Sequence, residues 1–340
     1  MKVRQAVVMV GGKGTRLRPL TNDRPKPILP VLDRPCLSYL VASLARGGIE
    51  KIFLACGYRS EKMAAAIGNG SKEGAEIEYS YEDVPAGTAG AIKLLEDELD
   101  ETFVAVNGDV FADIDLKKEI EEHERSGASI TMSLTPVDKP CEFGIARVDD
   151  TGRITEFKEK PKTEEVFSNL INAGVYVVNK DVLKFVPEGK MYDFSKELVM
   201  DLMSKGHRIQ GHMMNGMWKD VGRPSDLYGA NLAAAEKLYK GKAWDAVTGS
   251  KITGPFYLGP GGKVSGSRIS SSVISKGSTI TDSDVDGSLI MAGCDISGAF
   301  ISGSILGEGC IVKKGAKIID SVLADKTMVK SNEILSKVVE

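Results

Sequence analysis

A chain of 340 residues, 42% apolar and 27% charged with a net charge of −3, is long enough for two domains that each bury a core. The near-neutral balance argues against a general nucleic-acid or membrane surface, so any positive charge that meets phosphate must be local. Three histidines (His123, His207, His212) and five scattered cysteines without a CxxC pair provide neither zinc-ligand spacing nor a disulfide framework, which fits reduced thiols in a cytoplasm.

The chain opens with MKVRQAVVMVGG, whose short apolar run ends in glycine and is too brief for a signal peptide or a membrane span. Gln5–Val10 reads as a strand, Leu37–Arg46 as a helix and Lys51–Cys56 as a second strand. The spacing predicts a helix over Ala89–Leu99, with Thr88 as its cap, then a strand at Thr102–Val106 and a charged helix at Leu116–Ser126. Phe143–Pro161 reads as a hairpin turned by DDTG, Asn169–Val178 as a strand, and Ser225–Leu238 as a helix with an alanine-rich face. Strands alternating with helices imply an α/β fold of Rossmann-like type. It has a mostly parallel sheet with helices on both faces, and ligands lie beyond the carboxyl ends of the strands.

A Gly- and Pro-rich stretch, GSKITGPFYLGPGGKV, reads as a connector. Beyond it, isolated aliphatics recur every five or six residues: Ile269, Ile274, Ile280, Val285, Ile290, Ile296, Ile301, Leu306, Val312, Ile318, Leu323, Val329. Neither a 3.6-residue nor a two-residue period fits. A β-solenoid does, with one aliphatic turned inward per short strand and small residues at the corners, and it accounts for much of the glycine excess. A disordered Gly/Ser tail would not space Ile and Val so regularly.

Four segments carry the chemistry. VGGKGTRLRPLTNDRPKPILPV (residues 10–31) ends a buried strand in Gly11, Gly12 and Gly14, whose backbone can approach a phosphate, and then supplies Arg16 and Lys26. It is neither a P-loop nor a dinucleotide fingerprint, and by itself it reads equally as a flexible surface turn. EDVPAGTAGAIKLL (82–95) breaks at Pro85 and Gly87 before a helix start. FVAVNGDVFADIDL (103–116) delivers Asp109 at the end of a strand, where a carboxylate can hold a hard cation or simply belong to a turn; Asp113 and Asp115 read as turn and cap residues. WKDVGRP (218–224) places Asp220 before a glycine turn.

The order GGxGTR, PKP, GTAG, GD, FG, EKP, NAG and WxDxG resembles the sugar-1-phosphate nucleotidyltransferases, with the GTAG form closest to mannose-1-phosphate guanylyltransferases. The C-terminal repeat resembles the hexapeptide-repeat family, a left-handed parallel β-helix. The resemblance implies a catalytic domain over 1–240, a linker over 241–262 and a β-helix over 263–332. It implies that Val10, Gly11, Gly12, Gly14, Thr15, Arg16, Gly87 and Thr88 bind nucleotide. Lys26, Gly144, Glu159, Lys160 and Asn172 would bind the sugar phosphate, and Asp109 and Asp220 would hold Mg2+. Arg16, Lys26, Asp109 and Asp220 are the expected catalytic residues.

The implied substrates are a nucleoside triphosphate, GTP by the GTAG loop and the VGG start, and a sugar 1-phosphate. Mannose 1-phosphate is expected, with heptose 1-phosphate, or glucose 1-phosphate with UTP or dTTP, as alternatives. Ala86, where Leu is common, departs from the pattern. No nucleic-acid or membrane partner is expected, and the β-helix is expected to support a homo-oligomer or regulation. Two other classes fit the sequence less well. An acyltransferase would need a histidine on the repeats, and the last histidine is His212. A non-catalytic sugar-nucleotide-binding subunit would lack the arginine, lysines or aspartates found here.

Overall fold

The computed structural model describes residues 2–12, 14–57, 60–82, 84–239 and 245–340. The chain divides into two compact units: residues 1–12 with 37–218, and residues 13–36 with 219–340. Elements are numbered along the chain. The first are β1 (Gln5–Met9), the small hairpin β2 (Pro30–Val31) and β3 (Arg34–Pro35), α1 (Cys36–Arg46), β4 (Lys51–Cys56), α2 (Ser60–Ile67), β5 (Glu76–Tyr81) and α3 (Gly87–Lys93). Then come β6 (Thr102–Asn107), β7 (Val110–Ile114), α4 (Leu116–Ser126), β8 (Ile130–Pro136), β9 (Gly144–Val148), β10 (Ile154–Glu159) and β11 (Leu170–Asn179). The series continues with α5 (Met200–Ser204), β12 (Ile209–Met213), β13 (Gly216–Asp220) and α6 (Pro224–Tyr239).

The first unit is built on one mixed sheet in the order β10-β9-β11-β6-β1-β4-β5, with β8 joined to β11 and β12 joined to β8. Pairing is parallel across β5-β4-β1-β6 and turns antiparallel at β11. Ala6, Val7 and Val8 of β1 are all fully buried, so the strand reads as an unbroken apolar run rather than an alternating one. The core includes Val7 and Met9 from β1, Ala89, Ala91 and Ile92 from α3, and Leu198, Val199 and Leu202 from the 194–204 segment.

The helix expected over Ala89–Leu99 ends at Lys93, and a separate 3-10 turn follows at Glu96–Glu98. The cause is a tether from the sheet: the Gln5 side chain donates to the Glu98 carbonyl (3.1 Å) and accepts from the Asp100 N–H (2.6 Å), turning the chain into β6. Thr88 does not cap its own helix, because its hydroxyl accepts the Phe194 N–H at 2.7 Å.

In the second unit, three columns of parallel strands stack into a β-helix. Val264, Ile280, Ile296, Val312 and Val329 are in register on one face. Ile269, Val285, Ile301, Ile318 and Leu335 form the second column, and Ile274, Ile290, Leu306 and Leu323 the third. The aliphatics spaced in the sequence are thus the fill of one narrow core.

Corners in the left-handed backbone region separate the faces. One corner column runs Ser271, Gly287, Gly303, Asp320 and Lys337, all at positive φ, and glycine accepts that conformation without strain. Inside the turns, Ser272, Ser288, Ser304 and Ser321 form a buried ladder. Each hydroxyl donates to a carbonyl two residues back (2.6–2.7 Å) and accepts an N–H of the next coil (3.1 Å).

The connector is shorter than expected. Lys251–Leu258 is a strand paired with Arg268–Ile274, and Ile334–Ser336 adds to the far end. Gly254 makes the corner that breaks its period, and Phe256 and Leu258 enter the core. Residues 241–244 of that expected connector lie outside the described residues.

Candidate functional site

In the first unit, β1 runs out through Val10, whose side chain is buried and whose N–H donates to the Ala55 carbonyl at 3.0 Å. Gly11 and Gly12 follow, exposed, with no neighbouring atom within 4 Å of where a Cβ would stand, so their backbone is open to an incoming group. Next to them, β6 ends at Asn107 and Gly108 follows. The Gly108 N–H donates to the Met9 carbonyl at 2.9 Å, and a Cβ at Gly108 would strike the Val10 side chain. Glycine there lets β6 leave the sheet against β1, which sets Asp109 beside the start of the Gly-rich loop.

The expected sugar-side residues gather further along the same sheet. Gly144 opens β9, and a Cβ on it would stand 2.5 Å from the Phe157 ring and 2.6 Å from Glu159 Oε2. The missing side chain therefore admits the Glu159 carboxylate. Burial, the largest effect, raises the pKa of Glu159; Asp193 adds to the rise, and Lys160 opposes it. Lys160 is exposed and in a left-handed conformation, its N–H donating to the Phe143 carbonyl at 2.9 Å.

Asn172 is fixed twice. Its Oδ1 accepts the Gly174 N–H (2.9 Å), and its Nδ2 donates to the buried Tyr176 hydroxyl (2.7 Å). Burial drives the Tyr176 hydroxyl's pKa up, and the fields of Glu159, Asp193 and Asp109 add to it. Asp109, Glu159 and Asn172 thus address one region of this unit. Sequence reasoning missed Tyr176, although it stands four residues beyond Asn172 on the same strand, β11, and missed Trp218 in the very motif that supplied Asp220. Trp218 Nε1 donates to the Ala173 carbonyl at 2.8 Å, and its ring meets Phe143 edge-on at 5.8 Å. Asp193, which accepts from the Ser195 and Lys196 N–H groups, was also missed.

Gly87 has a packing reason of its own. At φ 75° its α-face lies against the Tyr192 backbone, where a Cβ would come within 2.7 Å of the carbonyl oxygen. The Ala89 and Gly90 N–H groups both donate to that oxygen (2.9 and 3.2 Å). The GTAG glycines are therefore required by the 190–192 segment whether or not a base lies nearby.

In the second unit, Gly14 takes φ 61° and packs against Lys26 Cβ and Thr21, and Thr21 Oγ1 donates to the Gly14 carbonyl at 2.8 Å. The following 3-10 turn, Thr15–Leu17, is anchored by the fully buried Leu17 and leaves Thr15 and Arg16 exposed. Lys26 opens a second 3-10 turn after Pro25 and is 9% exposed. Its Nζ lies 3.6 Å from Asp220 Oδ1. Asp220 ends β13 immediately before buried Val221, and a Cβ on Gly222 would stand 2.6 Å from Asp220 Oδ2. Two residues assigned separately by sequence, one to phosphate and one to metal, are an ion pair here.

The donor set can be tested against Mg2+. Among the described residues no group of three or more His, Cys, Asp or Glu side chains forms a metal cage. Mg2+ does not need one: it dehydrates reluctantly, and one or two carboxylates with substrate phosphates hold it. Asp109 in the first unit and Asp220 in the second each carry carboxylate oxygens of the hard type that Mg2+ takes.

Comparison with known proteins gives the family. Residues 5–237 match the family model described as nucleotidyl transferase, and residues 281–339 match the GlmU-like C-terminal hexapeptide model. The chain is 38% identical over 224 residues to a mannose-1-phosphate guanylyltransferase of Mycobacterium tuberculosis, a match spanning 65% of this chain and 62% of that enzyme's length. It is 34% identical over 265 residues to the mannose-1-phosphate guanyltransferase of Saccharomyces cerevisiae, covering 76% of this chain and 72% of that one. A Bacillus anthracis structure assigned as a glucose-1-phosphate thymidylyltransferase aligns with a TM-score of 0.62 at 26% identity, over 68% of this chain and 95% of that chain.

Proposed function

Because the chain belongs to the nucleotidyl transferase family, we propose that it is a sugar-1-phosphate nucleotidyltransferase, with GTP and mannose 1-phosphate as its substrates. A phosphate oxygen of the sugar 1-phosphate attacks the α-phosphorus of the triphosphate. The bond from that phosphorus to the bridging oxygen breaks, and pyrophosphate leaves with the electron pair. The attacking oxygen is already anionic at neutral pH, so the reaction needs no general base.

The difficulty is electrostatic. Two like charges at ~4 Å repel by roughly 4 kcal/mol even at an effective dielectric of 20. Lys26, Lys160 and Arg16 offset that repulsion and fix the line of attack. Gly11, Gly12, Gly14 and Thr15 cradle the triphosphate, Val10 backs the loop, and Gly87 and Thr88 shape the approach of the base. Gly144, Glu159 and Asn172 bind the sugar. Asp109 and Asp220 would hold Mg2+, which when bound neutralises phosphate charge.

The observation that carries this reading is the buried Lys26 held 3.6 Å from Asp220 inside a GGxGTR…PKP…WxDxG framework. GTP and mannose 1-phosphate rest on the relatives' activities and the GTAG loop. A cytoplasmic setting accords with five cysteines that form no disulfide among the described residues. No helix among those residues is long and apolar enough to cross a membrane. A homo-oligomer through the β-helix belongs to the same proposal, supported by exposed Phe300, Met328 and Ile334.

Pyrophosphate release from purified protein, measured over a panel of triphosphates and sugar 1-phosphates with and without Mg2+, tests the reading. GTP with mannose 1-phosphate should give the highest kcat/KM. Turnover of UTP or dTTP with glucose 1-phosphate instead would reassign the substrates, and turnover of no pair would remove the activity.

A further inference from the structure

The segment that carries Arg16 and Lys26 belongs to the same compact unit as the β-helix, and its attachments are specific. Arg24, two residues before Lys26, donates from Nη1 to Glu308 Oε1 at 2.5 Å and from Nη2 to Asp325 Oδ2; its side chain is 16% exposed. Glu308 and Asp325 stand on adjacent coils, just beyond the core residues Leu306 and Leu323. The Glu308 N–H donates to Asp325 Oδ1 at 2.8 Å, so the two acids are set against each other before the arginine arrives.

On the other side of Lys26, Asp33 is held by the same β-helix: its carboxylate accepts the Tyr257 hydroxyl and the Lys276 N–H, both at 2.9 Å. Asn231 of α6 closes the hairpin between them, accepting the Leu32 N–H at 2.8 Å and donating to the Pro30 carbonyl at 3.2 Å. The Lys26 turn is therefore bracketed by two side chains fastened to stacked coils.

An exposed ion pair would not accomplish this, since such pairs contribute little. A guanidinium shared between two preset carboxylates and largely removed from water is directional and strong. We propose that Arg24 is a positioning residue for Lys26, and that the β-helix is the rigid mount of the loop that carries it. Rigidity comes from the in-register coils, whose faces cannot shift without opening the aliphatic core. The inference rests on the proposed function for its effect on rate, but not for the mount itself.

The test uses the full chain in four variants: Arg24→Ala, Arg24→Lys, the paired Glu308→Gln/Asp325→Asn, and the control Arg268→Ala. The control cuts the Arg268–Asp284 pair on the β-helix, away from the loop. Two readouts are taken: amide hydrogen exchange of residues 14–31, and kcat and KM separately. Arg24→Ala and the paired variant should speed exchange across 14–31 while the coil amides stay protected. They should lower kcat by about 10–100-fold with KM for the triphosphate within about threefold, as expected when a group is misplaced rather than removed.

Arg24→Lys should recover part of both effects, and Arg268→Ala should change neither. Wild-type exchange over 14–31 in Arg24→Ala, which leaves every coil residue intact, overturns the mount. Faster exchange with an unchanged kcat overturns the positioning role. If the wild-type protein turns over no substrate pair, the proposed function fails on that result, and exchange alone decides the mount.

Discussion

The ammonium of Lys26 stands 3.6 Å from a carboxylate oxygen of Asp220, and only 10% of the lysine side chain is exposed. A cation this far from water needs a counter-charge. Here that counter-charge is Asp220, one of the two residues proposed to hold Mg2+.

Lys26→Ala should lower turnover by about 10³-fold or more while leaving the fold intact, because in the proposed reaction it removes a charge that acts on the transferring phosphates. Pyrophosphate release and the far-ultraviolet circular dichroism spectrum, measured side by side, check both halves. Wild-type turnover in this variant would end the assignment.

Asp109→Asn and Asp220→Asn should each raise the Mg2+ concentration needed for half-maximal rate by about tenfold or more, since an amide oxygen is a weaker ligand for a hard cation than a carboxylate. Titration of the rate with Mg2+ reads this directly. A variant whose metal dependence matches the wild type has lost a residue with no part in holding the ion.

Gly144→Ala should act on the sugar side. The added methyl would stand 2.5 Å from the Phe157 ring and 2.6 Å from Glu159 Oε2. Overpacking of this kind costs about 1–3 kcal/mol, and the displaced carboxylate should raise KM for the sugar 1-phosphate more than KM for the triphosphate. Chemical denaturation and substrate-resolved kinetics separate the two effects.

Glu119 makes stability depend on pH. It is 2% exposed on α4, and its Oε2 makes no hydrogen bond. Burial, with smaller contributions from Asp115 and Glu122 and opposition from the Ser133 hydroxyl, pushes its carboxyl up to about 8. The folded pKa exceeds the unfolded one, so the folded state binds the extra proton between the ordinary value of 4.5 and about 8. Stability from this group is full below the lower value and is lost as pH rises through the upper one. The wild-type Tm should therefore fall from pH 5 toward pH 8 more steeply than that of Glu119→Gln, which keeps the neutral form throughout. Parallel slopes for the two proteins would refute the assignment.

Periodic and local features were legible in the amino-acid order. The aliphatic spacing from Ile269 to Val329 announces a solenoid, because each inward position needs an apolar side chain and each corner a small one. Buried strands such as Gln5–Met9 declare themselves by an unbroken apolar run, and the motif order places Asp109 and Asp220 in one family pattern. The tertiary structure decided what depends on distant partners. Gln5 halts a helix that its own periodicity would have continued to Leu99, and Tyr192 explains Gly87. The pairing of Lys26 with Asp220, and of Arg24 with Glu308 and Asp325, joins residues hundreds of positions apart. Long charged side chains such as Arg24, Lys26 and Glu308 carry no hydrophobic period, so nothing in their local context names the partner they meet; only the tertiary packing does.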